Sequence, residues 1–210
     1  MKYRNVCIIE VDELKVKKSK GGVILIDTGG TKMGQRAKSF GTLISLPYYC
    51  DVNYGGSYFY CAPECKVGDK VYYDPFFSNP ENGFKVEQVG EKYRILVPIQ
   101  ALRAYERDGE TRAMNGGVLI KKVKKLHKIG SLFIPDSNAC HYEVLSVSGE
   151  EPVMLPSFKL RYNHNKLYVG DTIICDEKMV GPIDTTPLSD KPLFIYNWYA
   201  LAIIRQPKLA

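Results

Sequence analysis

The residues with most chemistry to offer are Cys50, Cys61 and Cys65, where Cys61-Ala62-Pro63-Glu64-Cys65 comes near the spacing of a zinc-ligand pair. A structural zinc site closes with four ligands, and neither a fourth ligand nor a counterpart in the second half of the chain is evident. No metal is expected, and these thiols read as unpaired. With Cys7, Cys140 and Cys175 they make six cysteines scattered over 210 residues, several of them inside apolar runs. Small secreted domains carry a denser framework, so reduced thiols of a cytoplasmic protein are the expectation. His127, His141 and Trp198 have no catalytic company: no carboxylate pair and no nucleophile with its base is legible. The stretch Gly29-Gly30-Thr31-Lys32 is too short and out of order for a phosphate loop. Neither an enzyme nor a cofactor is expected, and no catalytic residue is assigned.

What remains is the chemistry of docking. Gly21-Gly22-Val23-Ile24-Leu25-Ile26 puts an apolar run between a lysine-rich arm, Lys15 to Lys20, and a Gly/Thr/Lys stretch from Asp27 to Gln35. An apolar tip in a long loop is poor core material and good bait for a partner. Read instead as one more strand, Val23 to Ile26 would be core, but Gly29-Gly30 and the lysines around it argue against that. Lys15, Lys17, Lys18 and Lys20, with Lys121, Lys122, Lys124 and Lys125, form solvated flanks that could steer the chain toward an acidic surface. The net charge of +6 and pI near 8.9 permit a nucleic-acid partner without demanding one. Single-stranded nucleic acid would need aromatic rings beside those lysines. The tyrosines cluster elsewhere, so nucleic acid is not the expected partner.

The elements that must hold these tips are short strands. Val6 to Val11 is a β-branched run too short for a buried helix, and Gly41 to Leu46 is a second strand stopped by Pro47. Tyr48 to Lys66 is a polar and aromatic excursion, and Val67-Gly68-Asp69 turns the chain into the strand Lys70 to Tyr73. After another excursion, Pro75 to Gly83, strands are expected over Phe84 to Val89, Tyr93 to Val97 and Ala101 to Tyr105. The landmarks then recur. Gly116 to Ile120 is a strand followed by a lysine arm and a second apolar tip, Gly130-Ser131-Leu132-Phe133-Ile134. Tyr142 to Val147 answers Gly41 to Leu46, Val169 to Ile174 answers Val67 to Tyr72, and Ala200 to Ile204 answers Ala101 to Tyr105. One order of landmarks at a period of about 100 residues indicates two copies of one domain. The copies are expected over residues 1–108 and 109–210, with the seam at Glu106 to Glu110. The fold class is all-β, with a small barrel preferred over a sandwich. His141 is expected at a barrel edge. No apolar run approaches the roughly 18 residues that span a bilayer, and the first strand starts too near Met1 to leave room for a leader. A cytoplasmic protein without membrane contact is expected.

With these residues in place the chain resembles a GroES-type co-chaperonin, met twice. Gly21-Gly22-Val23-Ile24-Leu25 matches the tip of that family's mobile loop, Gly41 to Leu46 its second strand, Val67-Gly68-Asp69 its turn, and Tyr93 to Tyr105 its end. In the second half Arg112-Ala113-Met114 and Val118 to Lys122 match the opening strand, while Ser131 stands for the second loop glycine and Pro135 ends a shorter loop. The tandem arrangement resembles the double co-chaperonins of chloroplasts and fits a bacteriophage-encoded version equally well. The resemblance implies two GroES-like barrels, each with a long mobile loop and a roof excursion (Tyr48 to Lys66 and Ser148 to Tyr168). It also implies a homo-oligomeric ring that caps a GroEL-type chaperonin in its nucleotide-bound state and so assists folding of substrate proteins. The chaperonin-binding residues would be Gly21, Gly22, Val23, Ile24 and Leu25, with Gly130, Leu132, Phe133 and Ile134 as a second set. A structural or virion-associated interaction protein reusing the fold is the alternative.

Energetics favour many weak contacts on this reading. Burying Val23, Ile24 and Leu25 gains roughly 1.5–3 kcal/mol each, while ordering the loop costs roughly 1–2 kcal/mol per residue. One loop binds weakly at best. Several loops on one rigid platform add avidity on the order of 100- to 10,000-fold.

Overall fold

A computed structural model of the chain describes residues 5–12, 39–47, 51–54, 57–60, 63–78, 87–90, 92–123, 128–129, 132–133, 139–148, 153–154, 166–184, 190–196, 200 and 202–204. Among these the chain is all-β, with no α-helix and only short 3-10 turns at Pro75–Ser78, Ile99–Ala101 and Glu177–Met179. In the first half the strands are β1 (Val6–Asp12), β2 (Phe40–Ser45), β3 (Asp51–Tyr54), β4 (Ser57–Tyr60), β5 (Lys70–Tyr73), β6 (Glu87–Val89), β7 (Lys92–Pro98) and β8 (Leu102–Arg107). There follow β9 (Glu110–Ala113), β10 (Gly117–Lys122), β11 (Lys128–Ile129), β12 (Leu132–Phe133), β13 (Ala139–Val147), β14 (Val153–Met154), β15 (Thr172–Asp176), β16 (Gly181–Pro182), β17 (Leu193–Tyr196) and β18 (Ala202–Ile204).

Two antiparallel sheets carry the molecule. Their strand orders are β6-β7-β1-β2-β5-β8-β9 and β16-β17-β10-β13-β15-β18. Apart from β9 the two orders are the same, strand for strand. The likeness reaches single residues. The ladder between β1 and β2 slips between Ile8 and Ile9, and that between β10 and β13 slips between Leu119 and Ile120, at the same place in the repeat. Asn5 (φ 58°) precedes β1 in the left-handed region as Gly116 (φ 69°) precedes β10.

The Val-Gly-Asp turns repeat equally closely. Gly68 (φ 97°) and Gly170 (φ 89°) take a conformation that L side chains resist. The Asp69 carboxylate accepts the Lys66 N–H at 2.7 Å and the Asp171 carboxylate accepts the Tyr168 N–H at 2.9 Å. Gly68 N–H donates to the Leu43 carbonyl as Gly170 N–H donates to that of Val144, each at 2.8 Å. The triplet is a glycine for the backbone and an aspartate to close the turn.

At the last strand the repeat differs from the sequence expectation by one residue. Tyr72 stands opposite Ala104 and Ile174 opposite Ala202, so Ala104 corresponds to Ala202 and not to Ile203. A one-residue slip exchanges the faces of a strand. The observed register puts Tyr105 and Ile203 against their own cores.

Each sheet packs one face on its own core: Cys7, Ile9, Val11, Leu43, Val71, Val97 and their neighbours in the first repeat, and Val118, Ile120, Tyr142, Val144, Ile173 and Ile195 in the second. A third core lies between the repeats, formed by Tyr72, Ala104, Ala113, Leu119, Ile183 and Phe194. It explains why the alternation along β10 is broken. Val118 and Ile120 face the second core and Leu119 faces the shared one, so apolar residues run consecutively where both faces are covered.

The seam is a tight hairpin. Asp108 (φ 53°) and Gly109 (φ 80°) form the two-residue loop between β8 and β9, an Asp-Gly pair suited to a turn with both φ values positive. The 108/109 boundary therefore lies inside a turn, and β9 extends the first repeat's sheet. Asn115 then ties the junction down, its side-chain amide donating to the carbonyls of Ile99 (2.7 Å) and Leu102 (2.8 Å).

Candidate functional site

The first apolar tip, Gly21, Gly22, Val23, Ile24 and Leu25, lies outside the described residues, as do Gly130 and Ile134. Leu132 and Phe133 form β12 and pair with β11, Ile129 opposite Leu132 and Lys128 opposite Phe133. What the structure describes in full is the two stems from which the tips depart.

Both stems are built alike. The first insertion leaves the end of β1, where Asp12 pairs with Lys92, and returns at Ser39, whose carbonyl accepts the Tyr73 N–H at 2.8 Å. The second leaves β10 at Lys122, opposite Tyr142, and returns at Ala139, opposite Asp176. In each repeat the insertion thus joins two neighbouring antiparallel strands. Beside each stem the strand after the Val-Gly-Asp turn ends in an aspartate-capped 3-10 turn. Asp74 accepts the Phe76 N–H and Asp176 accepts the Lys178 N–H, both at 2.9 Å.

These turns expose apolar surface that the sequence reading did not single out. Phe76 is 50% exposed and Met179 48%, one beside each stem. Their signal in the sequence was a bulky apolar residue two or three positions after an Asp that ends a strand, which is legible only once the turn is known.

The stems carry ion pairs. Lys92 Nζ lies 2.9 Å and Arg94 Nε 3.8 Å from the Glu10 carboxylate, and Lys122 Nζ lies 2.6 Å from Glu177. The Glu10 hydrogen bond holds the Lys92 ammonium above its ordinary range, and the Glu177 bond does the same for Lys122. Exposed pairs of this kind contribute little to stability.

The opposite ends of the sheets hold the excursions. Val67 (61% exposed) and Val169 (70%) stand at the two Val-Gly-Asp turns. The first excursion contains the hairpin β3–β4, and β14 of the second excursion pairs with β4, Val153 opposite Tyr60 and Met154 opposite Phe59. The two excursions therefore share one three-stranded sheet.

Cys65 is buried, and burial first, then the nearby Asp69 carboxylate, pushes its thiol up to about 12. Cys50, Cys61, His127 and Trp198 lie outside the described residues. Among the described residues no group of three or more His, Cys, Asp or Glu could hold a metal. His141 is not at an edge: it lies within β13, between β10 and β15, and is buried. The strand begins before Tyr142, at Ala139, which places His141 within the ladder, opposite Ile174. Among the described residues no helix is long and apolar enough to cross a membrane.

Compared with protein-family models and with curated proteins, the chain matches none.

Proposed function

We propose that the chain is a co-chaperonin made of two tandem GroES-like barrels, docking on a GroEL-type chaperonin ring through Val23-Ile24-Leu25 and, more weakly, Leu132-Phe133-Ile134. The observation that carries the reading is the repeated sheet with a long insertion at the same place in each copy, between β1 and β2 and between β10 and β13. The first insertion bears Gly21-Gly22 before its apolar tripeptide and the second Gly130-Ser131. A scaffold that repeats its strand order, its bulge and its turns while keeping two such insertions on equivalent stems is suited to multivalent presentation. Phe76 and Met179, exposed beside the stems, would add apolar area to the docked contact.

The junction inside the chain supplies a pattern for the proposed assembly. There the opening strand of the second repeat, β9, lies against the closing strand of the first, β8. The closing strand of the second repeat, β18, ends its sheet with no further strand beside it among the described residues. The opening residues of another copy would occupy that edge, and repetition of the step would give a ring where its rotation closes.

Replacing Val23 and Ile24 together by Asp tests the reading. Co-elution with a GroEL-type chaperonin in the presence of ATP should be lost, with the melting temperature unchanged. A fall in melting temperature would place these residues in a core and overturn the docking role. Absence of co-elution by the unaltered chain would favour a structural or virion-associated interaction protein on the same fold.

A further inference from the structure

The second repeat holds a pair of thiols for which docking has no use. Cys140 of β13 stands directly opposite Cys175 of β15, so the two side chains share a face. Cys175 belongs to the second core and Cys140, half-buried, packs against it; neither is in a disulfide. Directly opposed residues of an antiparallel pair have Cα atoms about 4.5–5.5 Å apart, inside the roughly 4.4–6.8 Å that a disulfide spans. Their Cβ atoms, about 4.5–5.5 Å apart, must approach by up to about 1 Å to close one. The place permits this movement. Cys140 is the second residue of its strand, immediately after the second insertion, and Cys175 is the last but one of β15.

The first repeat has no such pair. The corresponding positions are Ser39 and Tyr73, joined by the Tyr73 N–H to Ser39 carbonyl bond. Two thiols at a position where the other copy has none mark a property of the second stem alone. The surroundings assign the roles. Cys140 is the more exposed residue of the two, and the Lys122 ammonium and the Tyr142 hydroxyl lie close enough to interact with its sulfur. Cys175 is sealed in the core, where burial first and then the neighbouring Cys140 push its thiol up to about 12.

We propose that Cys140 and Cys175 form a redox site, closing to a disulfide when the protein meets a small peroxide. The Cys140 sulfur attacks one peroxide oxygen, the O–O bond breaks and the other oxygen leaves as water, giving a sulfenic acid. The Cys175 sulfur then attacks that sulfur. The S–S bond forms, the S–O bond breaks, and a second water leaves with the thiol proton. Two thiols are oxidised and one peroxide is reduced. A bridge that draws two strands together is strained and readily reduced, so the step is reversible. The bridge would staple the returning end of the second insertion to β15. On the proposed docking role, and resting on it, oxidation would tighten the stem that carries Leu132-Phe133-Ile134.

The test is oxidation of the full chain with hydrogen peroxide, alkylation of the remaining thiols with N-ethylmaleimide, and peptide mapping by mass spectrometry. The expected result is a peptide pair linked through Cys140 and Cys175 that has lost two hydrogens and is restored by dithiothreitol. In a Cys175→Ser variant dimedone should trap the Cys140 sulfenic acid, and in Cys140→Ser Cys175 should stay reduced. Recovery of Cys140 as sulfinic acid, alkylated, or bridged to another cysteine would overturn the proposal. The link is read with no chaperonin present, so it stands or falls apart from the docking role. Chaperonin capture by the oxidised and reduced protein, in the background of Val23→Asp and Ile24→Asp, then reads the second loop alone.

Discussion

Asp69 shows how much one side chain of a repeated turn can be asked to do. Burial, the largest single influence, would raise its carboxyl. The Arg107 hydrogen bonds, the Lys66 backbone N–H and the Arg107 charge together outweigh burial and hold it below the usual carboxylate range. Arg107 Nε donates to one carboxylate oxygen at 3.0 Å and Nη2 to the other, so the pair is a bidentate fork between the turn and β8. Because the folded-state carboxyl titrates below the unfolded one, the stability it contributes is present above the ordinary aspartate pKa and is lost as pH falls through the folded value. Replacing Asp69 by Asn should cost about 1–3 kcal/mol at neutral pH and flatten the acid limb of a stability-versus-pH curve measured by urea unfolding. An unchanged acid limb would show that other carboxylates govern acid unfolding. Glu106 adds to the same limb. The Tyr72 hydroxyl at 2.7 Å is the main influence lowering it, opposed by burial and reinforced by Lys191 at 3.1 Å and by Lys70.

At the scale of the element, β10 decides how the repeats can pack. It is buried from Gly117 to Ile120 on both faces, and Gly117 sits where a Cβ would collide with the Phe194 ring and lie 2.9 Å from the Met114 carbonyl. Gly117→Ala should therefore cost about 1–3 kcal/mol by overpacking, and Leu119→Ala about 2–5 kcal/mol by opening the shared core, both read from urea midpoints. If Leu119→Ala costs no more than a surface substitution, the third core contributes nothing to folding. The strands themselves were legible in the sequence because short β-branched runs between turn residues have few other ways to fold. Lys70–Tyr73 was placed to the residue, and Val6–Asp12 within one. The meaning of the unbroken run Val118-Leu119-Ile120 was not legible, since periodicity cannot say what covers the second face of a strand. The register of β18 was missed for a related reason: Ala202-Ile203-Ile204 is apolar throughout and offers no polar residue to fix the face. Asp108-Gly109 was readable as a hairpin turn but falls where a domain boundary was sought, and that concealed β9. The stems of the candidate site follow the strand order, Lys122 ending β10 and Ala139 opening β13. The tips were found by composition alone, which points to docking without saying where the side chains rest.

At the scale of the whole molecule, the two repeats behave as one body through more than a shared core. Arg103 of the first repeat lies over the Phe194 ring of the second at 5.4 Å and donates to the Pro182 carbonyl at 3.2 Å, while holding Asp74 at 2.8 Å. Ser39 donates to the Ile183 carbonyl at 3.0 Å, Ser148 to Glu64 at 2.7 Å, and Lys191 reaches Glu106. These bonds fix the angle at which one repeat follows the other. If the same joint recurs between chains, it sets how many repeats close a ring, and the proposed docking role needs a ring because single loops bind weakly. The proposed joint between chains would differ in one respect: within the chain β9 is tethered to β8 by a two-residue turn, whereas a second copy would have to be recruited from solution. Its effective concentration is then that of the protein, and assembly becomes concentration-dependent. Analytical ultracentrifugation should accordingly find multiples of the chain at high concentration that dissociate on dilution. Removing residues 1–4, which correspond to Arg112–Asn115 and so include the positions of the last two residues of β9, should leave a single chain at every concentration with the melting temperature unchanged. A truncated chain that still assembles would separate ring formation from the β18 edge and assign it to another surface. A unit mass for the intact protein at all concentrations would remove the platform on which multivalent capping depends.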